Sequence, residues 1–286
     1  MKRSRRANVI TTEESIPAGP PAIAADGPLW VLLALFAVSG CAALIHEILW
    51  FQLLELVVGS SALSLGILLG TYMGGMCLGS LLLPRFVSRD QHPIRVYALL
   101  ELGIATLGAL VFLLVPLVGH LSTGSGGQGL WSILLRAAIA CLCLVPPTML
   151  MGATLPAVSR WVESTPAGVS WWGVLYSGNI AGAIVGCLLA GFHLLRLYDL
   201  AVSLGVAVVL GGGAGLFGLL LAWHTPYAPR AADTGEPAVR VRAGAAHVVI
   251  AVSGLCALGA QVVWTRILAL LLGATVYTFS IILGVF

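Results

Sequence analysis

Long apolar runs alternate with short polar breaks along most of the chain. Crossing a bilayer as a helix takes about 20 apolar residues. Six runs meet that length, at roughly 29–57, 61–84, 95–119, 130–158, 171–195 and 200–223. A polar stretch from His224 to Arg242 holds three prolines and mixed charges, so 224–243 reads as a linker. A seventh run covers about 245–272, and an eighth begins near Ala274. The thirteen residues from there to Phe286 rise about 20 Å as a helix, against a hydrocarbon core of about 30 Å. The run is therefore expected to continue in a longer protein with at least two six-helix halves. Residues 1–28 open with MKRSRR and then polar residues and prolines. No apolar region follows the charges directly, as a secretory signal would require. The segment reads as a disordered tail.

The first two runs return later in the chain. From Val38 to Tyr72 and from Val252 to Phe286 the sequence aligns without a gap at an offset of 214, with 12 of 35 positions identical. Apolar composition alone would match Leu and Val, but not Ser39-Gly40, Trp50, Gly59 and Gly70 in register with Ser253-Gly254, Trp264, Gly273 and Gly284. This is an internal repeat. Six crossings between the copies make it a parallel repeat, with 29–223 as one six-helix bundle and 244–286 as the start of a second.

Composition turns these runs into membrane spans. The chain is 59% hydrophobic and 9% charged, with mean hydropathy +1.03. Soluble domains carry about 25% charged residues, so the expected solvent is lipid. A net charge of +3 gives no reason to expect a nucleic-acid partner. Six cysteines fall inside apolar runs and read as packing residues. No metal or cofactor is called for. Basic residues gather in alternate loops, at Arg5 and Arg6, at Arg85, Arg89 and Arg95, at Arg160, and at Arg230, Arg240 and Arg242. That asymmetry puts the N-terminus and the linker on the cytoplasmic side of a multi-pass plasma-membrane protein.

Small residues at four-residue spacing let membrane helices approach closely. Gly66, Gly70 and Gly74 form one such row, and Gly178, Gly182 and Gly186 another. Both read as packing faces. Gly213-Ala-Gly-Leu-Phe-Gly218 fits the dinucleotide pattern, but it lies inside an uncharged spanning run with no βαβ alternation around it, so it too reads as packing. His46-Glu47 lacks the second histidine of a zinc protease motif. Glu47 still matters. A carboxylate deep in a membrane helix faces the bundle interior and finds a partner. It shares a helical face with Gly40, Ala43, Trp50 and Leu54, four positions kept in the second copy, where Gln261 replaces the acid. Arg136 and Arg266 lie at matching depth as candidate partners. Glu101 and Asn179 are expected to form an inner polar pair, with Glu101 near enough to the interface to snorkel. Two readings stand for Glu47, a pair that fixes helix register or a substrate or proton path. The path candidates are Glu47, His46, Arg136, Glu101, Asn179, Gln261 and Arg266.

Several ordered segments carry a resemblance. SGCAALIHEILWFQLLELVVGSS, PTMLMGATLPAVSRWV (Pro147 to Val162), LYSGNIAGAIVGCLLAGFHLL (Leu175 to Leu195) and the stretch Val96 to Gly103 resemble the membrane region of the bacterial fused major-facilitator-like/spermidine-synthase-like proteins. Together they span roughly residues 29–286. His46 and Gln52 stand where that family shows Tyr and Arg, whereas Trp264-Thr-Arg266 keeps its second pattern. The resemblance implies an all-α, major-facilitator-like bundle in the bacterial inner membrane. It implies a transporter-like domain for polyamines or other small organic solutes. The alternative it implies is the membrane anchor or regulatory domain of a spermidine-synthase-like aminopropyltransferase, whose soluble domain this chain does not contain.

Overall fold

The computed structural model describes residues 26–59, 61–88, 90–123, 130–163, 168–227, 243–273 and 275–285. The expected tail over 1–28 and the linker over 224–243 fall almost wholly outside them. The described residues are helical, with no strand. The helices are α1 Asp26–Val58, α2 Ser61–Phe86, α3 Pro93–Thr123, α4 Leu130–Glu163, α5 Gly168–Leu188, α6 Leu200–His224, α7 Ala243–Leu272 and α8 Val276–Val285. A π segment, Leu189–Leu194, and a short turn, Leu195–Leu197, extend α5. Each predicted run became one helix, with ends shifted by a few residues. Seven of them are long and apolar enough to cross a membrane, so the chain is a polytopic membrane helix bundle.

The repeat is visible in the backbone. Among the described residues only Gly59 and Gly273 have positive φ, at 76° and 91°. They are repeat partners, and each ends the first helix of its unit in the left-handed conformation that glycine adopts without strain. Each copy is therefore a long helix, a glycine turn and a second helix.

Close backbone approach sets the bundle. α1 packs chiefly on α5, α2 on α4, and α3 on α4 and α6. At the α1–α5 seam, a Cβ on Gly178 would strike the Leu33 side chain, one on Gly182 the Ala37 carbonyl, and one on Gly186 the Cys41 carbonyl. Gly40 meets the Asn179 backbone from the other side. The two rows advance together by four, as parallel neighbours must. The matching row in α2 behaves differently. A Cβ on Gly66, Gly70 or Gly74 meets nothing within 4 Å among the described residues. The packing expected of those three glycines falls instead to Gly75 against Thr148 and Gly79 against Met149. They lie one position round the helix, on the face that α4 covers. Gly215 and Gly218 of the dinucleotide-like match press on Ala98 and Leu102 of α3, the packing role expected of them.

Candidate functional site

Between the first bundle and α7–α8 lies a cavity of about 730 Å³. Its α1 wall runs from Phe36 to Glu47, its α2 wall from Tyr72 to Ser80, and its α5 wall from Tyr176 to Ile184. The cavity thus occupies the middle of the bundle, on the α1-start side of the Phe51–Phe279 stack. Beyond Glu47 the next turns of α1, Ile48 to Leu54, are mostly buried. Phe51 stacks on Phe279 of α8, with ring centroids 4.3 Å apart, closing that end.

The cavity sits where the repeats meet. Three repeat-related pairs line it together: Ala43 with Ala257, Leu44 with Leu258, and Glu47 with Gln261. A second, small cavity of about 30 Å³ lies on the far side of the Phe51–Phe279 stack. Its walls also come in repeat pairs, Phe51 with Thr265, Leu65 with Phe279, and Glu55 with Ala269. Both cavities are therefore lined by residues at matching positions of the two copies.

Glu47 is buried at 2% exposure. Its Oε1 has no hydrogen-bond partner among the described residues. Neither candidate arginine supplies one. Arg136 donates Nη1 to the Val57 carbonyl at 3.4 Å, in the last turn of α1. That carbonyl has no intrahelical partner, and a cation there also complements the helix dipole. Arg160 does the same for α2, donating to Val87 O at 3.3 Å just past its end. Two arginines of α4 thus cap two neighbouring helices. Depth along the chain matched Arg136 to Glu47, but the side chain reaches across to the end of α1. Arg266 is exposed on α7 and lines the small cavity with Glu55.

The expected pair of Glu101 and Asn179 is also corrected. Both line the cavity, but each bonds to α1 instead of to the other. Ser39 donates its hydroxyl to Glu101 Oε1 at 2.6 Å. Asn179 donates Nδ2 to the Phe36 carbonyl at 2.8 Å. Glu101 does not snorkel. It is 1% exposed, turned inward from α3. His46 lies off the cavity. Its Nδ1 bonds to the Ala42 carbonyl at 2.9 Å, which can only accept, so Nδ1 carries the proton. Its Nε2 faces Gly108 of α3, where a Cβ would collide with it, and has no hydrogen-bond partner among the described residues. Neighbours on a helix point about 100° apart, so His46 serves the α1–α3 seam while Glu47 serves the cavity.

The structure therefore gathers Glu47, Glu101, Asn179 and Gln261 around one space and leaves His46, Arg136 and Arg266 outside it. It adds Ser39, which the repeated Ser-Gly pair could have flagged, and the Phe51–Phe279 stack, which the alignment could not, since Phe51 pairs with Thr265 there. A scan of protein-family models, a search of curated proteins and a search of solved structures each return no match.

Proposed function

We propose that this chain is part of a solute carrier of the major-facilitator-like kind, with its cargo site in the cavity at the repeat interface. One observation carries the reading. Repeat-related residues from both copies line a single cavity, among them Glu47, which has a buried oxygen with no partner among the described residues, and Gln261, which takes its place in the second copy. Carriers built from repeats hold cargo near the midplane between the repeats, and expose it alternately by rocking one half against the other. In this reading the stack of Phe51 on Phe279 closes one end, and cargo enters from the side of the α1 start. The basic loops make that side cytoplasmic. The resemblance to the fused membrane proteins supports the same fold and the bacterial inner membrane as its place, and it suggests polyamines or another small organic solute as cargo.

The test is uptake by proteoliposomes holding the purified full-length protein. Radiolabelled putrescine, spermidine, monovalent organic cations and neutral solutes would be offered under outward and inward gradients. Uptake of at least one above protein-free vesicles is expected. If none moves under any gradient, the helices are an anchor or scaffold and this reading is wrong.

A further inference from the structure

The cavity has walls of one character and charge of one sign. Among the described residues that line it Glu47 and Glu101 are the charged ones, and no Lys, Arg or His joins them. The two acids are not equivalent. Glu101 already accepts a hydrogen bond from Ser39. Glu47 lines the same space and has a buried oxygen with no hydrogen-bond partner among the described residues. A buried carboxylate without a counter-charge is unfavourable in a low-dielectric interior, and an incoming cation relieves that. Most of the remaining wall is apolar, including Met73, Met76, Met151, Ile180 and Leu283. Methionine is flexible and polarisable, and recurs on surfaces that accept varied apolar shapes.

Size narrows the ligand further. Cavities of about 300–1,000 Å³ hold drug-sized molecules, and this one is about 730 Å³. A slender polyamine would leave most of that volume unfilled. Glu101, already bonded to Ser39, is the one further acid among the described lining residues, so the remaining ammonium groups would lie against methionine and isoleucine. A bulky apolar body with one positive centre fits both features.

Building on the carrier reading above, we propose that the repeat-interface cavity binds amphiphilic organic cations, with the positive centre at Glu47, an apolar body against the Met73–Met76–Met151 wall, and Gln261 opposite as the uncharged partner. Glu101 is held by Ser39 and acts as a secondary contact.

The experiment is equilibrium binding to the full-length protein in lipid nanodiscs, with empty nanodiscs subtracted. Tetraphenylphosphonium is the probe, tetraphenylborate its shape-matched anion, and spermidine the slender polycation. Saturable tetraphenylphosphonium binding is expected, with no saturable binding of tetraphenylborate measured on its own and weak competition from spermidine. Glu47→Gln should weaken it about 10- to 100-fold, the usual range for losing a charged hydrogen-bonding partner. Glu47→Asp, which keeps the charge, should recover most of it, and thermal unfolding of both variants checks that the fold is kept. Equal binding by wild type and Glu47→Gln would overturn the role given to Glu47. Tight spermidine binding without tetraphenylphosphonium binding would overturn the cargo class and leave the carrier reading standing. If none of the three binds saturably the proposal is also overturned, and the uptake panel decides separately whether the chain carries solutes at all.

Discussion

Ser39 and Glu101 show how one small side chain decides the place of a buried acid. Ser39 is 7% exposed and Glu101 1%, and the bond between them ties α1 to α3 across 62 residues of sequence. Removing the hydroxyl leaves a carboxylate oxygen without its donor inside the bundle. Interhelical hydrogen bonds in membranes contribute about 1–2 kcal/mol in model systems. Ser39→Ala should therefore lower unfolding stability in detergent by about that amount, and Ser39→Thr should recover most of it. The presence of buried acids was legible in the sequence, because a carboxylate in a spanning run has few stable places to go. Their partners were not. Position along the chain fixes a residue's depth in the membrane, but the direction in which it points around its helix depends on neighbours that sequence does not place. For this reason Arg136 matched Glu47 in depth yet caps α1, and Asn179 matched Glu101 yet bonds to Phe36.

Helices as units were the most legible part of the chain. Eight apolar runs became eight helices, since span length is set by the thickness of the membrane. Glycine rows were half legible. Gly178, Gly182 and Gly186 have the same spacing as Gly66, Gly70 and Gly74, but only the first row meets a backbone in the described structure. This makes a paired prediction. Gly182→Val drives a branched side chain into the Ala37 carbonyl and should destabilise the protein by about 1–3 kcal/mol or more, as overpacking does. Gly70→Ala meets open space and replaces a poor helix former, so it should be neutral or stabilising by up to about 1 kcal/mol. Thermal unfolding of the two variants in detergent checks this, and equal losses would show that both rows pack. The π segment after α5 had no sequence signal. It becomes intelligible through Gly191, which lies within it and packs on Ser280 of α8. The added residue per turn re-aims the backbone where the second copy comes closest to the first.

The whole molecule follows from the repeat. The 214-residue offset announced it, and the two left-handed glycines and three pairs of cavity-lining residues fall at matching positions of the two copies. What the sequence could not supply is which helices of the first bundle touch the second copy. The structure gives that contact to α5 and α8, alongside the Phe51–Phe279 stack. A carrier that rocks about this interface must move α8 against α5. One link tests both the contact and the motion. A Cβ on Gly284 would sit 3.8 Å from Cβ of Cys187, the mean separation in disulfides. Gly284→Cys would be made in a chain whose Cys41, Cys77, Cys141, Cys143 and Cys256 are alanine. After oxidation, cleavage between residues 228 and 242 should leave the two fragments joined until reductant is added. Uptake of ethidium into proteoliposomes loaded with DNA should stop in the oxidised protein and return on reduction. A bond that fails to form would contradict the packing of the second copy on the first, and a bond that forms without slowing uptake would contradict the rocking interface.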